Sequence, residues 1–318
     1  FTPAFSELFQ RLIDSAFRAN EVAVITGGAD VASQFAALPF DHLLFTGSTG
    51  VGRKVMGAAS QNLTPVTLEL GGKSPAVVAP GYPIEHAVQR VLAGKLLNAG
   101  QTCIAPDYAL VPRAQVPAFV ESAKRQAQDM YPAGLDDADY CSIINARQYE
   151  RLAGYIEQAR SADTAIVPLF NGAGHNDSKR RLAPAIAINP SPDLDLMREE
   201  IFGPLMPVIP YDDVKDAMAF INAQPRPLAM YWFDNDGKRA ELVLKNTHAG
   251  GVCFNETLMH VAQEDLPFGG VGPSGMGHYH GRWGFDTFSK LTPVFRQSRF
   301  NGMKLFLPPY KPRVAKML

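Results

Sequence analysis

Short β-rich runs and amphipathic helical stripes alternate along most of this 318-residue chain, and that alternation constrains its fold more than any other feature. Phe5, Leu8, Phe9, Leu12, Ile13, Ala16 and Phe17 recur at helical spacing. They predict a helix with one buried face, with Thr2 and Pro3 as cap and first-turn residue. Val22 to Thr26 reads as a strand, 31–37 as a helix, Leu43 to Thr46 as a strand, 50–60 as a helix and Val66 to Leu70 as a strand. Helix and strand in strict turn imply a parallel α/β sheet.

A second block repeats the pattern. Ala76 to Val78 is a strand, and Ile84, Ala87, Val88, Val91, Leu92 and Leu96 form a helical stripe that ends near Asn98. Tyr108 to Val111 is a strand, followed by a helix carrying Val116, Phe119, Val120, Ala123 and Ala127. Further on, 145–160 is a helix, 165–170 a strand, and Asn171 to Arg181 a polar hairpin or surface loop. Ala185 to Ile188, Val208-Ile209, Ala229 to Phe233 and Gly251 to Phe254 are strands, with helices near 212–223 and 236–246. The Pro- and Lys/Arg-containing tail from 291 suggests an arm.

Composition closes off several classes. A net charge of -1 gives no attraction for nucleic acid or an anionic membrane. No apolar run reaches the roughly 20 residues of a membrane span. Cys103, Cys141 and Cys253 are odd in number and widely spaced, which fits neither a disulfide framework nor a zinc site and suits a reducing, cytoplasmic setting. The chain opens on Phe1-Thr2-Pro3 without an initiator Met, so a truncated or processed N-terminus is expected.

Six segments could carry chemistry, and each has a plain reading beside it. Gly47-Ser48-Thr49-Gly50-Val51-Gly52 joins a strand to a helix, a geometry that offers free N–H groups to a phosphate or is simply a tight turn. Arg53 and Lys54 stand where a P-loop needs Lys and Ser or Thr. Glu69, before Leu70, Gly71 and Gly72, is either a general base or a strand-end carboxylate that reaches solvent. Cys103, in the turn Gly100-Gln101-Thr102-Cys103, is either a nucleophile or a small buried apolar residue. Cys141 and Cys253 read as structural. Glu199-Glu200-Ile201-Phe202-Gly203-Pro204 is a helix-end charge cluster or a site segment. Gly270-Val271-Gly272-Pro273-Ser274-Gly275 matches a dinucleotide fingerprint in letters only, since Pro273 interrupts it and no helix opens after it; a flexible loop is expected. His278-Tyr279-His280 lacks a third ligand at regular distance, so no metal is assigned.

Taken together and in order, Phe45-Thr46-Gly47-Ser48-Thr49, Glu69 to Pro75, Gly100 to Cys103, Glu200 to Pro204 and Pro267 to Gly277 resemble the aldehyde dehydrogenase superfamily. The wording of Leu38 to Ser48 and His260 to Gly281 looks most like its coniferyl-aldehyde-dehydrogenase branch. The resemblance implies an α/β fold: a partial Rossmann-like dinucleotide-binding domain over 1–71, an α/β catalytic domain over 72–271, and a C-terminal return segment and oligomerisation arm over 272–318.

It also implies a function, the NAD- or NADP-dependent oxidation of an aldehyde to a carboxylic acid. Cys103 would be the nucleophile and Glu69 the general base. Gly47 and Ser48 would meet the dinucleotide pyrophosphate, and Leu70 and Gly71 would pass the nicotinamide. Glu200 would hold its ribose, and Phe202 would lie beside its ring. The partners implied are a small-molecule aldehyde and further copies of the chain, as a homodimer or homotetramer.

In the family, sequence preceding this start supplies the first sheet strands, a Lys on the adenosine ribose and an Asn in the oxyanion hole. Losing one oxyanion donor costs roughly 10²–10³ in rate. The expectation is therefore a weakly active or inactive chain that binds NAD poorly and exposes a sheet edge at 22–26 and 43–46. The other classes consistent with the residues are a catalytically silent scaffold and a cofactor-independent cysteine esterase using Cys103 and Glu69.

Overall fold

The computed structural model describes residues 2–172 and 174–309. It divides into a main body, Phe1–Thr287, and a C-terminal segment, Phe288–Leu318. The body opens with α1 (Pro3–Ala16) and α2 (Ala29–Ala36), followed by β1 (Leu43–Thr46), α3 (Thr49–Ser60) and β2 (Val66–Glu69). Next come β3 (Pro75–Val78), α4 (Ile84–Leu96), β4 (Tyr108–Pro112), α5 (Val116–Met130) and α6 (Ala146–Ser161). The chain continues through β5 (Ala165–Pro168), the short hairpin β6 (His175–Asn176) and β7 (Arg181–Leu182), and β8 (Ala185–Ile188). It closes with α7 (Asp195–Arg198), β9 (Leu205–Tyr211), α8 (Val214–Ala223), β10 (Ala229–Phe233), α9 (Gly237–Asn246), β11 (Gly251–Phe254), β12 (Gly275–Met276) and α10 (Gly281–Thr287).

Two sheets position the site. The larger has seven strands in the order β11-β10-β3-β4-β9-β8-β5, all parallel to their neighbours except β5, which runs antiparallel to β8. Its central strands are apolar throughout because helices cover both faces. Side chains alternate between faces, so each strand feeds two cores. Ala76 and Val78 of β3, Ala109 and Val111 of β4, and Tyr231 and Phe233 of β10 face the core shared with Val88, Val91 and Leu92 of α4 and Phe119 and Ala123 of α5. Val77, Leu110, Met230 and Trp232 face the other core, with Ala217, Met218 and Ile221 of α8 and Val243 of α9. The smaller sheet, β1-β2-β12, pairs β1 with β2 in parallel and β12 with β2 antiparallel, leaving β1 as an outer strand among the described residues.

Three expectations change. Val22 to Thr26 is not a strand: Val22 and Ile25 are exposed, and no described strand pairs with the segment. A β-rich run without a neighbour has no ladder to close. The helix α1 forms as its spacing requires, but Phe5, Leu8, Phe9 and Leu12 are exposed, and none of its residues is buried. Pro3 occupies its first turn, while Thr2 makes no side-chain capping bond. The Gly270–Gly275 stretch is not a free loop. Ser274 is fully buried, its carbonyl accepts the N–H of Leu70 at 3.1 Å, and Gly275 pairs with Glu69. A side chain at Gly275 would overlap the carbonyl of Leu68, so only glycine lets this turn lie flat on β2.

The C-terminal segment contains a 3₁₀ turn, Met303–Phe306. The end of the expected arm, 310–318, lies outside the described residues.

Candidate active site

The parallel register of the small sheet brings two of the motifs to one end of it. Thr46 pairs with Glu69, and the N–H of Gly47 donates to the carbonyl of Glu69 at 3.0 Å. The chain then enters α3 through Ser48, whose hydroxyl caps the helix by accepting the N–H of Val51 at 3.4 Å. Thr49 donates to the carbonyl of Pro273 at 2.9 Å. Gly52 is buried against the Leu70 side chain, so the first turn of α3 packs closely on Leu70. The Gly47–Ser48 turn thus presents a helix N-terminus beside the end of β2.

Cys103 arrives from the other sheet. After α4 the chain reverses through Asn98, Ala99 and Gly100, all left-handed, with φ of 51°, 52° and 77°. Gln101 then fixes the turn. Its amide donates to the carbonyls of Asn98 (3.0 Å) and Ser142 (3.1 Å), and its oxygen accepts the N–H of Ile144 at 2.9 Å. The polar residue beside the thiol is therefore a bracket for the loop. Tyr231 of β10 secures the far side by donating to the carbonyl of Ile104. Cys103 is left half-buried on this rigid turn.

The third strand of the site is the segment after α7. Lys73 forms a buried ion pair with Asp107 and also donates to the carbonyls of Leu196 (2.7 Å) and Glu199 (3.0 Å). Asp107 accepts the N–H of Ile201 at 2.9 Å. Arg151 of α6 donates to the carbonyls of Glu200 (3.2 Å) and Ile201 (2.7 Å). Phe202 follows with φ at 47°, a left-handed conformation that costs a bulky residue about 1–3 kcal/mol and that the surrounding bonds impose. A side chain at Gly71 would overlap the Glu200 carboxylate, so that carboxylate lies across bare backbone.

The electrostatics tie these pieces together. Glu69 is 5% exposed, and both its carboxylate oxygens are buried without a hydrogen-bond partner among the described residues. Burial pushes it up to about 8. Burial, and next the charge of Asp107, push Glu200 up to about 7, opposed by the N–H of Gly72 and the cations Lys73 and Arg151. Cys103 is pushed up to about 11 by burial first, then by the charges of Glu200 and Glu69. The backbone N–H groups of Cys103 and Ile104 act in the opposite direction. Tyr279 is also raised, by burial first and then by the charges of Glu69 and Cys103.

The sequence reading passed over Lys95, Arg151 and Tyr279. Lys95 did leave a signal: it lies at helical spacing from Val91 and Leu92 on the buried stripe of α4, a charge where an apolar residue belongs. It is 1% exposed, and burial lowers it to about 8. The remaining cysteines lie elsewhere. Cys141 is exposed, and Cys253 of β11 sits 3.0 Å from Nδ1 of His260. Among the described residues, no group of three His, Cys, Asp or Glu side chains is arranged to hold a metal ion.

The aldehyde dehydrogenase family model matches residues 1–294. A probable coniferyl aldehyde dehydrogenase of Pseudomonas aeruginosa is 52% identical over 317 residues, covering 100% of this chain and 66% of that protein. A coniferyl aldehyde dehydrogenase of a Pseudomonas species is 45% identical over 93% of this chain and 62% of its own length. A solved structure of the substrate-bound state of Staphylococcus aureus AldH superposes with a TM-score of 0.92 at 39% identity, covering 99% of this chain and 68% of that one. This chain therefore spans close to two thirds of the length of the curated relatives it matches.

Proposed function

Because the chain belongs to the aldehyde dehydrogenase family, we propose that it oxidises an aldehyde to a carboxylic acid with NAD or NADP, through a thiohemiacetal and then a thioester on Cys103. Glu69 is the general base in this reading, and it is the observation that carries it. A buried carboxylate with neither oxygen partnered is costly to fold, and such groups persist where they handle a proton. This one shares its surroundings with a thiol that the same burial keeps protonated at rest.

The residues present fit a dinucleotide. The N-terminus of α3, with Gly47 and Ser48, suits a pyrophosphate. The Glu200 carboxylate, held across Gly71, suits the nicotinamide ribose, with Leu70, Gly71 and Phe202 beside the ring. A bound nicotinamide would supply the acceptor for the hydride that leaves the thiohemiacetal carbon.

The chain's own residues perform the remaining steps. Cys103 gives its proton to solvent water, and the thiolate sulfur adds to the aldehyde carbonyl carbon as the carbonyl π bond opens to an oxyanion. The backbone N–H of Cys103 donates to the oxyanion that forms. After oxidation, Glu69 takes a proton from a water molecule whose oxygen attacks the thioester carbonyl, and the Cys103 thiolate leaves. A carboxylate in this place favours release as an acid over acyl transfer to another thiol.

The names of the relatives support an aromatic, coniferyl-aldehyde-like substrate. The three free cysteines suit a cytoplasmic protein, and family resemblance supports a homodimer or homotetramer. No described helix is long and apolar enough to cross a membrane. The domain boundaries we favour remain 1–71, 72–271 and 272–318.

A single-turnover experiment tests the chemistry. The protein is mixed with coniferaldehyde and NAD at a pH near 6, where Glu69 is protonated, and the acid-quenched peptides are weighed. An acyl group on the Cys103 peptide, lost when the pH is raised to about 9, is expected. Acylation of Cys253 alone, or of no cysteine, would sink the reading.

A further inference from the structure

Arg151 lies on α6, outside every segment that carries the proposed chemistry, yet its guanidinium reaches the segment that carries Glu200. Three elements converge there. From the β2–β3 turn, Lys73 holds the carbonyl of Glu199 at 3.0 Å. From the approach to β4, Asp107 holds the N–H of Ile201 at 2.9 Å. From α6, Arg151 donates to the carbonyls of both Glu200 and Ile201, at 3.2 and 2.7 Å.

The guanidinium is itself braced. Its Nε donates to Gln148 at 2.7 Å, and its terminal nitrogen donates to the Tyr155 hydroxyl at 2.8 Å, while that hydroxyl donates to the Glu199 carboxylate at 2.6 Å. Gln148 belongs to the first turn of α6, where Asn145 caps the helix by accepting the Gln148 N–H at 2.9 Å. A planar fork fixed at one edge and bonded to two successive carbonyls at the other defines the orientation of a peptide plane, which a single point charge does not. The two planes so held are those of Glu200–Ile201 and Ile201–Phe202, and Phe202 adopts the left-handed φ of 47°.

We propose that Arg151 is a positioning residue: by fixing the Glu200 and Ile201 carbonyls it sets where the Glu200 carboxylate stands, across Gly71. Its importance to cofactor binding rests on the reading of Glu200 as the ribose-holding carboxylate. The placement itself does not, because Glu200 can be located without cofactor. Among the described residues, Glu200, Glu69, Tyr231 and Tyr279 are the titratable groups that interact with the Cys103 thiol, and Glu200 is the strongest of the charges on it. The thiol therefore reports where that carboxylate is.

The experiment follows alkylation of the Cys103 peptide by iodoacetamide across pH, by mass spectrometry, in the unaltered protein and in Glu200→Gln, Arg151→Met, Arg151→Lys and the double variant Arg151→Met/Glu200→Gln. Removing a charge beside a thiol shifts its midpoint by about one pH unit. Glu200→Gln should lower the midpoint from near 11 by about that much. Arg151→Met should lower it too, because the carboxylate swings away, and the double variant should fall no further than Glu200→Gln alone. Arg151→Lys, which keeps the charge but reaches fewer carbonyls, should lie between.

The sign decides the matter, since merely deleting a nearby cation would raise the midpoint. A midpoint in Arg151→Met at or above that of the unaltered protein overturns the proposal. So does a full further drop in the double variant. Should Arg151→Met fail to fold by circular dichroism, Arg151→Lys carries the same comparison, and a midpoint unchanged from the unaltered protein overturns it. NAD binding measured on the same proteins separates the two readings. If Glu200→Gln binds NAD as tightly as the unaltered protein while the thiol shifts stand, the ribose assignment falls and the role of Arg151 remains.

Discussion

Cys103 and Cys253 are both thiols that burial pushes above the ordinary range, yet their settings differ in kind. Cys253 lies within β11, with its sulfur 3.0 Å from Nδ1 of His260. Burial holds that imidazole down to about 4, so it stays neutral near pH 7, and the backbone N–H of His260 also acts on the sulfur. Cys103 lies on a loop that has left the strand-and-helix framework through three left-handed residues. The backbone N–H groups of Cys103 and Ile104 favour its thiolate, and an unpartnered carboxylate stands nearby. A buried thiol in a strand, set against a neutral ring, is a packed group. A half-buried thiol on a loop, with two backbone donors facing its sulfur, can hold charge when a substrate arrives.

The sharpest way to break this contrast is deletion. Cys103→Ala should abolish aldehyde oxidation and acyl capture, by at least about 10³-fold, whereas Cys253→Ala should change single-turnover acylation by less than about threefold. Comparable losses in the two variants would erase the distinction. A step smaller, Glu69→Gln should slow thioester hydrolysis roughly 10²–10⁴-fold while leaving acylation intact, seen as acyl protein that accumulates even near pH 9. Normal hydrolysis in that variant would move the base elsewhere.

Smaller again, native Cys103, half-buried where Cys253 is buried, should be alkylated about tenfold faster near pH 8 through its greater access, with the difference lost in urea. Peptide mapping after brief labelling measures both sites at once, and equal native rates would count against the loop argument. The smallest effect concerns stability. Glu69 titrates near 8 in the folded protein against an ordinary value of 4.5. A carboxyl with a raised folded value binds its proton more tightly when folded, so its ionisation cost is small near pH 4.5, grows as pH rises and is complete above about 8. Glu69→Gln should therefore raise the melting temperature by a few degrees near pH 9 and hardly at all near pH 5. The opposite ordering would mean that Glu69 has a partner which stabilises its charge.

What could be read from the residues follows from how local the signal is. The strands β3 and β10 are legible because a run buried on both faces is apolar throughout, and α4 and α5 because their stripes repeat every three or four residues. The segments around Cys103, Glu69 and Glu200 are legible as motifs, although nothing in them says that β1–β2 pairing and a left-handed turn would bring them together. Val22 to Thr26 misleads because strand propensity says nothing about a pairing partner. Phe5, Leu8, Phe9 and Leu12 mislead because periodicity reports an apolar face and not what covers it. Arg151 leaves no trace at all. Its bonds to Gln148 and Tyr155 join ordinary neighbours along a helix, and those that reach the site go to main-chain carbonyls 49 and 50 positions away, which have no residue type to recognise.

The left-handed Gly100 of the thiol-bearing turn abuts Gly203 of the segment after α7. A side chain at Gly100 would strike the carbonyl of Gly203, and one at Gly203 would strike Leu152. The loop bearing the thiol and the loop bearing Glu200 and Phe202 therefore rest main chain against main chain. Their spacing is set by the thickness of a peptide and not by the length of any side chain. Substitutions in the walls around them can reshape which aldehyde fits while that gap stays constant, so selectivity and chemistry can drift on separate clocks.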